Sequence, residues 1–244
     1  MPAVPAPRYR EIQRDLTQRI AAAEWLPGGA LPSEAKLAAH YGAAIGTVRK
    51  AIDELVAERI VLRRQGSGTF VATHSADRLL FHFFHIVPRT GGRQAPTTRT
   101  LEFRRSRASA EEARRLQADA GAPVYRVRNL LSLAGRPVVL DALVLPQALF
   151  PSLTEKLLTQ RNNTIYHLYH TRFGVNVLRT TERLRAVRAD RDVAQALGVA
   201  PGAPLLQISR TALTYGDAPV ELRESFVDTS AHDYFSDLGK PGGA

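Results

Sequence analysis

A chain of 244 residues that is 44% apolar can bury one large core or two modest ones, and a formal charge of +10 suits a polyanionic partner without requiring one. The absence of cysteine excludes disulfides and thiolate metal sites and fits a reducing compartment. No apolar run approaches the roughly 20 residues needed to span a bilayer, and Met1–Arg8 lacks the apolar core of a signal peptide, so a cytoplasmic protein with no membrane partner is expected.

Residues 1–7 alternate proline with small residues and are expected to be disordered. Tyr9, Ile12, Leu16 and Ile20 recur at three- and four-residue steps, which predicts an amphipathic helix from about Arg8 to Ala23. After the turn Pro27-Gly28-Gly29, Ser33 is a good N-cap for a helix to about Tyr41, and Gly42 can take the positive φ that ends it. Thr47 can open a further helix with Val48, Ala51, Ile52 and Leu55 on one side and Arg49, Lys50 and Asp53 on the other. Helix, glycine turn, then helix with basic residues at its start is the helix-turn-helix arrangement, which lays the second helix in the DNA major groove. Strands 60–64 and 69–72 about Gln65-Gly66-Ser67-Gly68 predict a hairpin, and so a winged helix; glycines at its tip allow close approach to a phosphate, while Arg63 and Arg64 supply charge. Residues 1–75 hold ten basic side chains against seven acidic ones, so most of the positive excess lies further along the chain.

Arg8–Val71 resembles the DNA-binding domain of the GntR family of bacterial transcription regulators. The matching pieces include Leu31-Pro32-Ser33-Glu34, Leu37-Ala38, Gly42, Thr47-Val48-Arg49 and Gln65-Gly66-Ser67-Gly68-Thr69-Phe70-Val71. The resemblance implies that Arg49 reaches the operator and that Ser33, Thr47 and Gly66 lie near the DNA backbone or groove. Many relatives have an arginine where this chain has Ala35, and Val-Ser-Arg where it has Ala43-Ala44-Ile45, so the operator sequence is expected to differ.

Residues 73–80 are a plausible interdomain linker, 81–238 form the second domain and 239–244 are a tail expected to be disordered. Expected in order are a strand over 101–107, a helix over 109–119, strands 124–133 and 137–145 about the turn Ala134-Gly135-Arg136, helices 151–158 and 164–172, and a long strand 175–187. A helix over 190–197 ending at Gly198, then strands 205–213 and 220–227, complete the set. Helix, Gly-Ala-Pro turn, strand, turn and strand occur twice, at 109–145 and 190–227, which suggests two similar hairpins in one antiparallel sheet. The whole chain is thus expected to be α+β.

The second half resembles the UTRA effector-sensing domain of the histidine-utilisation-repressor branch of the GntR family, through Gly135-Arg-Pro137, Leu145-Pro146, Phe150-Pro151, Thr164-Ile165-Tyr166, Phe173-Gly174, Leu197-Gly198, Gly202-Ala-Pro204 and Pro219-Val220-Glu221. That domain resembles the chorismate lyase fold, an antiparallel sheet with a ligand cavity. The resemblance implies ligand-facing positions at Asn129, Leu131, Asp141, Thr164, Glu221 and Val227. Several relatives have arginines at the places of Asn129 and Leu131, which argues against copying a phosphosugar ligand from them. Arg223 shares a strand face with Glu221 and could meet an anion. Asp141 inside an apolar run is either a structural Asp–Arg pair or pocket lining. His82 and His85, among Phe81, Phe83 and Phe84, either approach the ligand or face solvent from a strand. His167 and His170 lack an acidic or thiolate neighbour and suit a surface helix better than a metal. Glu111-Glu112 is most simply a solvated helix start.

No catalytic motif and no cofactor site is evident. The expectation is a homodimeric, operator-binding repressor of double-stranded DNA, answering to a small effector such as a carboxylate or other anionic metabolite. An enzyme on a lyase-like domain, or a DNA-binding regulator without a working ligand pocket, are the alternatives.

Overall fold

A computed structural model describes residues 7–22, 24–26, 28–58, 60–72, 83–92, 94–161 and 164–236. The expected linker 73–80, the tail 239–244, all but Pro7 of the N-terminal stretch, and His82 lie outside the described residues. The chain divides into two compact units between His74 and Ser75.

The first unit follows its periodicity closely. Helix α1 (Arg8–Ala21) buries Ile12, Leu16 and Ile20, spaced four apart on one face. Helix α2 (Glu34–Tyr41) starts where the Ser33 side chain accepts the Lys36 N–H at 3.3 Å, and it stops at Gly42, whose φ of 55° is left-handed. Helix α3 (Ile45–Ala57) opens two residues before the expected Thr47. Ala44 holds the N-cap position in an extended conformation without a side-chain acceptor, and Thr47 instead donates its backbone N–H to the Ala44 carbonyl at 2.9 Å. Val48, Ala51, Ile52 and Leu55 on α3 are fully buried. Strands β1 (Val61–Arg64) and β2 (Gly68–Val71) form the wing, and Gly29–Leu31 hydrogen-bonds along the outer side of β2. Three helices and a hairpin give the winged helix-turn-helix.

The second unit is a six-stranded antiparallel sheet with helices on both faces. Its elements are β3 (Ile86–Pro88), β4 (Thr97–Arg107), α4 (Ala110–Arg115), β5 (Pro123–Leu133), β6 (Arg136–Pro146), α5 (Glu155–Thr159), α6 (Ile165–Phe173), β7 (Arg179–Arg188), α7 (Arg191–Leu197), β8 (Pro204–Leu213), β9 (Pro219–Val227) and β10 (His232–Tyr234). The sheet order is β4-β5-β6-β9-β8-β7, while β3 pairs with β10 in a separate two-stranded ribbon. The doubled pattern expected from the sequence is therefore present: β4–α4–β5–β6 and β7–α7–β8–β9 are two like units that meet where β6 pairs with β9. Ala134 and Gly135, at φ 47° and 76°, make the two-residue turn whose twist suits the β5–β6 hairpin.

One sheet face packs α6, through Tyr125, Val127, Leu143 and Leu145 against Tyr166 and Tyr169. The opposite face packs α7 against Leu130, Leu140 and Leu205, and α4 against Val124 and Leu222. The two outer strands carry Arg99, Arg104, Arg105 and Arg107 on β4 and Arg179, Arg183, Arg185 and Arg188 on β7, all exposed. Charge on an open strand edge opposes the addition of a further strand, and it accounts for much of the positive excess.

Several boundaries differ from expectation for local reasons. The helix expected over 109–119 stops at Arg115, and Gln117 takes a φ of 52°. The helix expected over 151–158 shrinks to α5, because Ser152 is left-handed at φ 63° and Thr154 supplies the cap, accepting the Leu157 N–H at 3.3 Å. Strand β4 begins four residues before Leu101, and β7 begins only at Arg179, since Val175 folds back to donate to the Tyr169 carbonyl at 3.1 Å.

Glu112 is not merely solvated. It closes a capping box with Ser109 and binds Arg126 through both oxygens, at 2.6 and 2.8 Å. The Arg126 hydrogen bonds hold its carboxyl down to about 2, against partial burial that pushes it up. A carboxyl depressed in the folded state adds stability that is present above its unfolded value near 4.5 and is lost as pH falls toward 2. Glu112→Gln is therefore expected to cost a constant amount of stability above about pH 5, with the gap to the parent narrowing between pH 4.5 and 2. Urea unfolding from pH 3 to 7 measures it, and a gap independent of pH would refute the assignment.

Candidate functional site

The exposed side of the first unit gathers the basic residues singled out in the sequence. Arg49 projects from α3 with its side chain 59% exposed, and its Nε donates to Glu34 Oε2 at 2.9 Å. Arg63 on β1 donates Nη2 to the other oxygen of Glu34 at 3.0 Å and also pairs with Asp53. One carboxylate in the first turn of α2 thus draws together a helix arginine and a wing arginine, directly beside Ser33. Gly66 lies beyond them at the exposed wing tip, with φ 73°, and Thr47 is half-buried in the first turn of α3. Lys50 lies over the Tyr9 ring, 4.3 Å from its centroid, and so braces α3 against α1. Arg64 stacks 4.6 Å over Phe70 across the hairpin. Ile45, at the start of α3, is 47% exposed and presents an apolar surface.

Exposed ion pairs contribute only ~0–1 kcal/mol, so an anion can displace Glu34 from either arginine. Glu34→Gln is expected to raise affinity for a random duplex by no more than about fivefold, the equivalent of that range. Fluorescence anisotropy at fixed salt reads the change, and a loss of affinity would instead show that Glu34 holds the arginines in place for binding.

In the second unit a cavity of about 480 Å³ opens between the sheet and α6, closed on one side by residues 83–86. The strand register arranges its floor in rows. Arg223 and Arg210 lie side by side on β9 and β8; Asn129, Asp141 and Ser225 form the next row across β5, β6 and β9; Leu131, Val139 and Val227 form the one after. The polar rows are tightly bonded. Arg223 donates to Asp141 Oδ2 at 3.2 Å, Ser225 donates to Asp141 Oδ1 at 2.6 Å, and Thr100 donates to Asn129 Oδ1 at 3.0 Å. Asp141 is thus both a partner of an arginine and part of the cavity lining.

Glu221 departs from its expected place at the ligand. It is fully buried beneath the floor and does not line the cavity. Its carboxylate accepts two hydrogen bonds from Arg223, at 2.9 and 3.0 Å, and one each from the hydroxyls of Tyr166, at 3.0 Å, and Tyr169, at 2.7 Å. Burial pulls the Arg223 guanidinium toward neutrality, but Glu221 and Asp141 more than offset this and keep it charged. Burial and the Glu221 charge push the Tyr166 hydroxyl up to about 12, so it stays a donor.

Thr164 lines the cavity and caps α6, accepting the His167 N–H at 3.2 Å. His85 lines it as well, its ring 5.1 Å from that of Tyr234, outside any strand. Two arginines that the sequence did not single out also reach the cavity. Arg210 donates to Glu182 Oε1 at 2.5 Å and to the Phe83 carbonyl at 2.6 Å. It could have been found by strand alternation from Ile208 together with the pairing to Arg223. Arg161 stands in the polar loop before α6, where no periodicity marks it; it bonds the Leu158 carbonyl, and burial lowers its pKa from the usual arginine value while leaving the guanidinium charged. Arg126 and Arg128 face away from the cavity, as alternation requires. His167 and His170 are half-buried on a helix that also buries Tyr166 and Tyr169, and among the described residues no cluster of three metal-ligating side chains forms.

Comparison with known proteins agrees with both units. The profile of the gntR family of bacterial regulatory proteins matches residues 8–71, and that of the UTRA domain matches residues 92–233. The chain is 27% identical over 219 residues, 89% of each protein, to a protein of Escherichia coli K12 named as a fructoselysine utilization operon transcriptional repressor. It is 31% identical over 201 residues to an HTH-type transcriptional regulator of Mycobacterium tuberculosis, covering 80% of this chain and 72% of the relative. Among solved structures, the ligand-binding domain of a protein assigned to the GntR-family transcriptional regulators in Bordetella bronchiseptica superposes with a TM-score of 0.62 at 42% identity, covering 64% of this chain and 98% of that one. With a winged helix that turns Arg49 outward and a cavity-bearing antiparallel sheet, the chain belongs to the GntR family of bacterial transcription regulators and carries a UTRA domain.

Proposed function

We propose that this protein is a cytoplasmic repressor that binds a palindromic operator as a homodimer and whose DNA affinity is set by a small anionic metabolite in the sensor cavity. The observation that carries this reading is the cavity of about 480 Å³, lined by Arg161, Arg210 and Arg223, in a chain that also presents Arg49 and Arg63 on an exposed winged helix. Two recognition helices related by a two-fold axis read inverted half-sites. A ligand that binds one arrangement of the pair better than another shifts the population between them by its differential affinity. The repressor names of relatives support the sign of the effect on transcription. Asn129, Asp141, Thr164, His85 and Arg223 are assigned to the ligand side, with Ser33, Thr47, Arg49, Arg63, Arg64 and Gly66 toward DNA. Regulation rather than catalysis suits Asp141, whose two oxygens are already engaged by Arg223 and Ser225 and make it a poor general base.

Selection of bound duplexes from a randomised library tests the DNA half, with light scattering on the free protein for its mass. The expected outcome is enrichment of two inverted half-sites and a dimer mass. Enrichment of a single unrepeated site by a monomer would refute it.

A further inference from the structure

The cavity has a direction. Along the strands its floor passes from guanidinium groups, through the Asn129–Asp141–Ser225 row, to the aliphatic row Leu131–Val139–Val227. Successive rows on one face lie two residues apart, about 7 Å along a strand. The charges are unequally engaged. Arg223 is held by Glu221 and Asp141, and Arg210 by Glu182. Arg161 pairs with no carboxylate among the described residues and spends one donor on the Leu158 carbonyl. A cavity with one cation free to receive a ligand, and an aliphatic row in the same lining, suits one negative charge on an apolar body.

We propose that the effector is a small monocarboxylate with a compact apolar body, its carboxylate bound by Arg161 and its body lying on Leu131, Val139 and Val227. This rests on the reading of the second unit as a metabolite sensor. A sugar phosphate fits the same lining poorly. Its second charge would stand near Asp141, whose carboxylate repels it, and hydroxyls set against the aliphatic row would give up water without gaining a partner. A guanidinium instead meets a carboxylate with two parallel N–H donors, a geometry one free arginine can supply.

Titration calorimetry on the full chain with 3-phenylpropionate, hexanoate, glucose 6-phosphate and inorganic phosphate tests this, on the parent, Arg161→Met, Arg161→Lys and the edge-strand control Arg105→Met. At least one carboxylate is expected to bind the parent ten times more tightly than either phosphate. Arg161→Met is expected to weaken that binding at least tenfold, Arg161→Lys to restore part of it, and Arg105→Met to leave it unchanged. Each variant's melting temperature shows whether it is folded. Tighter binding of glucose 6-phosphate than of both carboxylates, or carboxylate binding unaffected in both Arg161 variants, overturns the inference and leaves the sensor reading standing. Absence of binding by all four compounds overturns both.

Discussion

Arg49→Ala is expected to lower operator affinity by a factor of tens to about ten thousand while leaving the fold intact. A bidentate arginine–base contact provides about 1–3 kcal/mol of discrimination, and a dimer on two half-sites loses it twice. Because the Arg49 side chain is 59% exposed and its one ion pair among the described residues is with Glu34, its removal takes nothing from the core. The melting temperature should stay within a degree or two of the parent. Affinity for a random duplex should fall much less, since only one phosphate-steering charge per protomer is lost. Anisotropy titrations of the selected operator and of a random duplex at the same salt concentration separate the two effects. Arg105→Ala provides the control, because it removes one exposed positive charge outside the first unit. Equal operator affinity for the parent and Arg49→Ala would remove Arg49 from the contact set.

Glu221→Ala is expected to be among the most destabilising single changes in the second unit. The carboxylate is fully buried and takes four hydrogen bonds from three residues. Its loss leaves the Arg223 charge compensated only by Asp141 and strands the hydroxyls of Tyr166 and Tyr169. Breaking a buried pair from one side costs about 3–5 kcal/mol. That should appear as a lower urea midpoint with little change in slope. Replacing the whole charged set, as Glu221→Leu, Arg223→Met and Asp141→Asn together, should cost less than Glu221→Ala alone, because no charge of this network is then left unpaired in the interior. A midpoint shift equivalent to less than 1 kcal/mol, or a triple variant weaker than the single, would mean the network is more hydrated than its geometry indicates.

What could be read from the chain tracks what is local. Ile12, Leu16 and Ile20 marked a helix face, Ser33 and Gly42 marked its neighbour's ends, and the two Gly-Ala-Pro turns marked the duplicated sheet units, because each signal lies within one or two turns of the residues it governs. Ala44 shows the opposite case. It has no side-chain oxygen, so the true start of α3 carried no chemical mark, and Thr47 was the better cap on paper. Strand alternation placed Glu221 and Arg223 on one face correctly. Depth was not available from it, since whether a side chain on that face lines the cavity or lies beneath it depends on the tyrosines of α6, more than 50 positions away. Arg161 was invisible for a related reason: a loop residue gains its place from the helix that follows and the sheet below.

The pairing of β6 with β9 joins residues far apart in sequence, such as Asp141 and Arg223, 82 positions from one another. Every other pairing in the six-stranded sheet lies within one of the two like units, so each unit can close over a short stretch of chain before this last junction forms. The junction is therefore the natural place for the sheet to open, and the polar floor of the cavity straddles it, with Asn129 and Asp141 on one side and Arg223 and Ser225 on the other. An occupant of the cavity then acts as a clasp between two half-sheets. Its signature is slower amide exchange at Val139–Val144 and Leu222–Val227, more than along the arginine-lined outer strands.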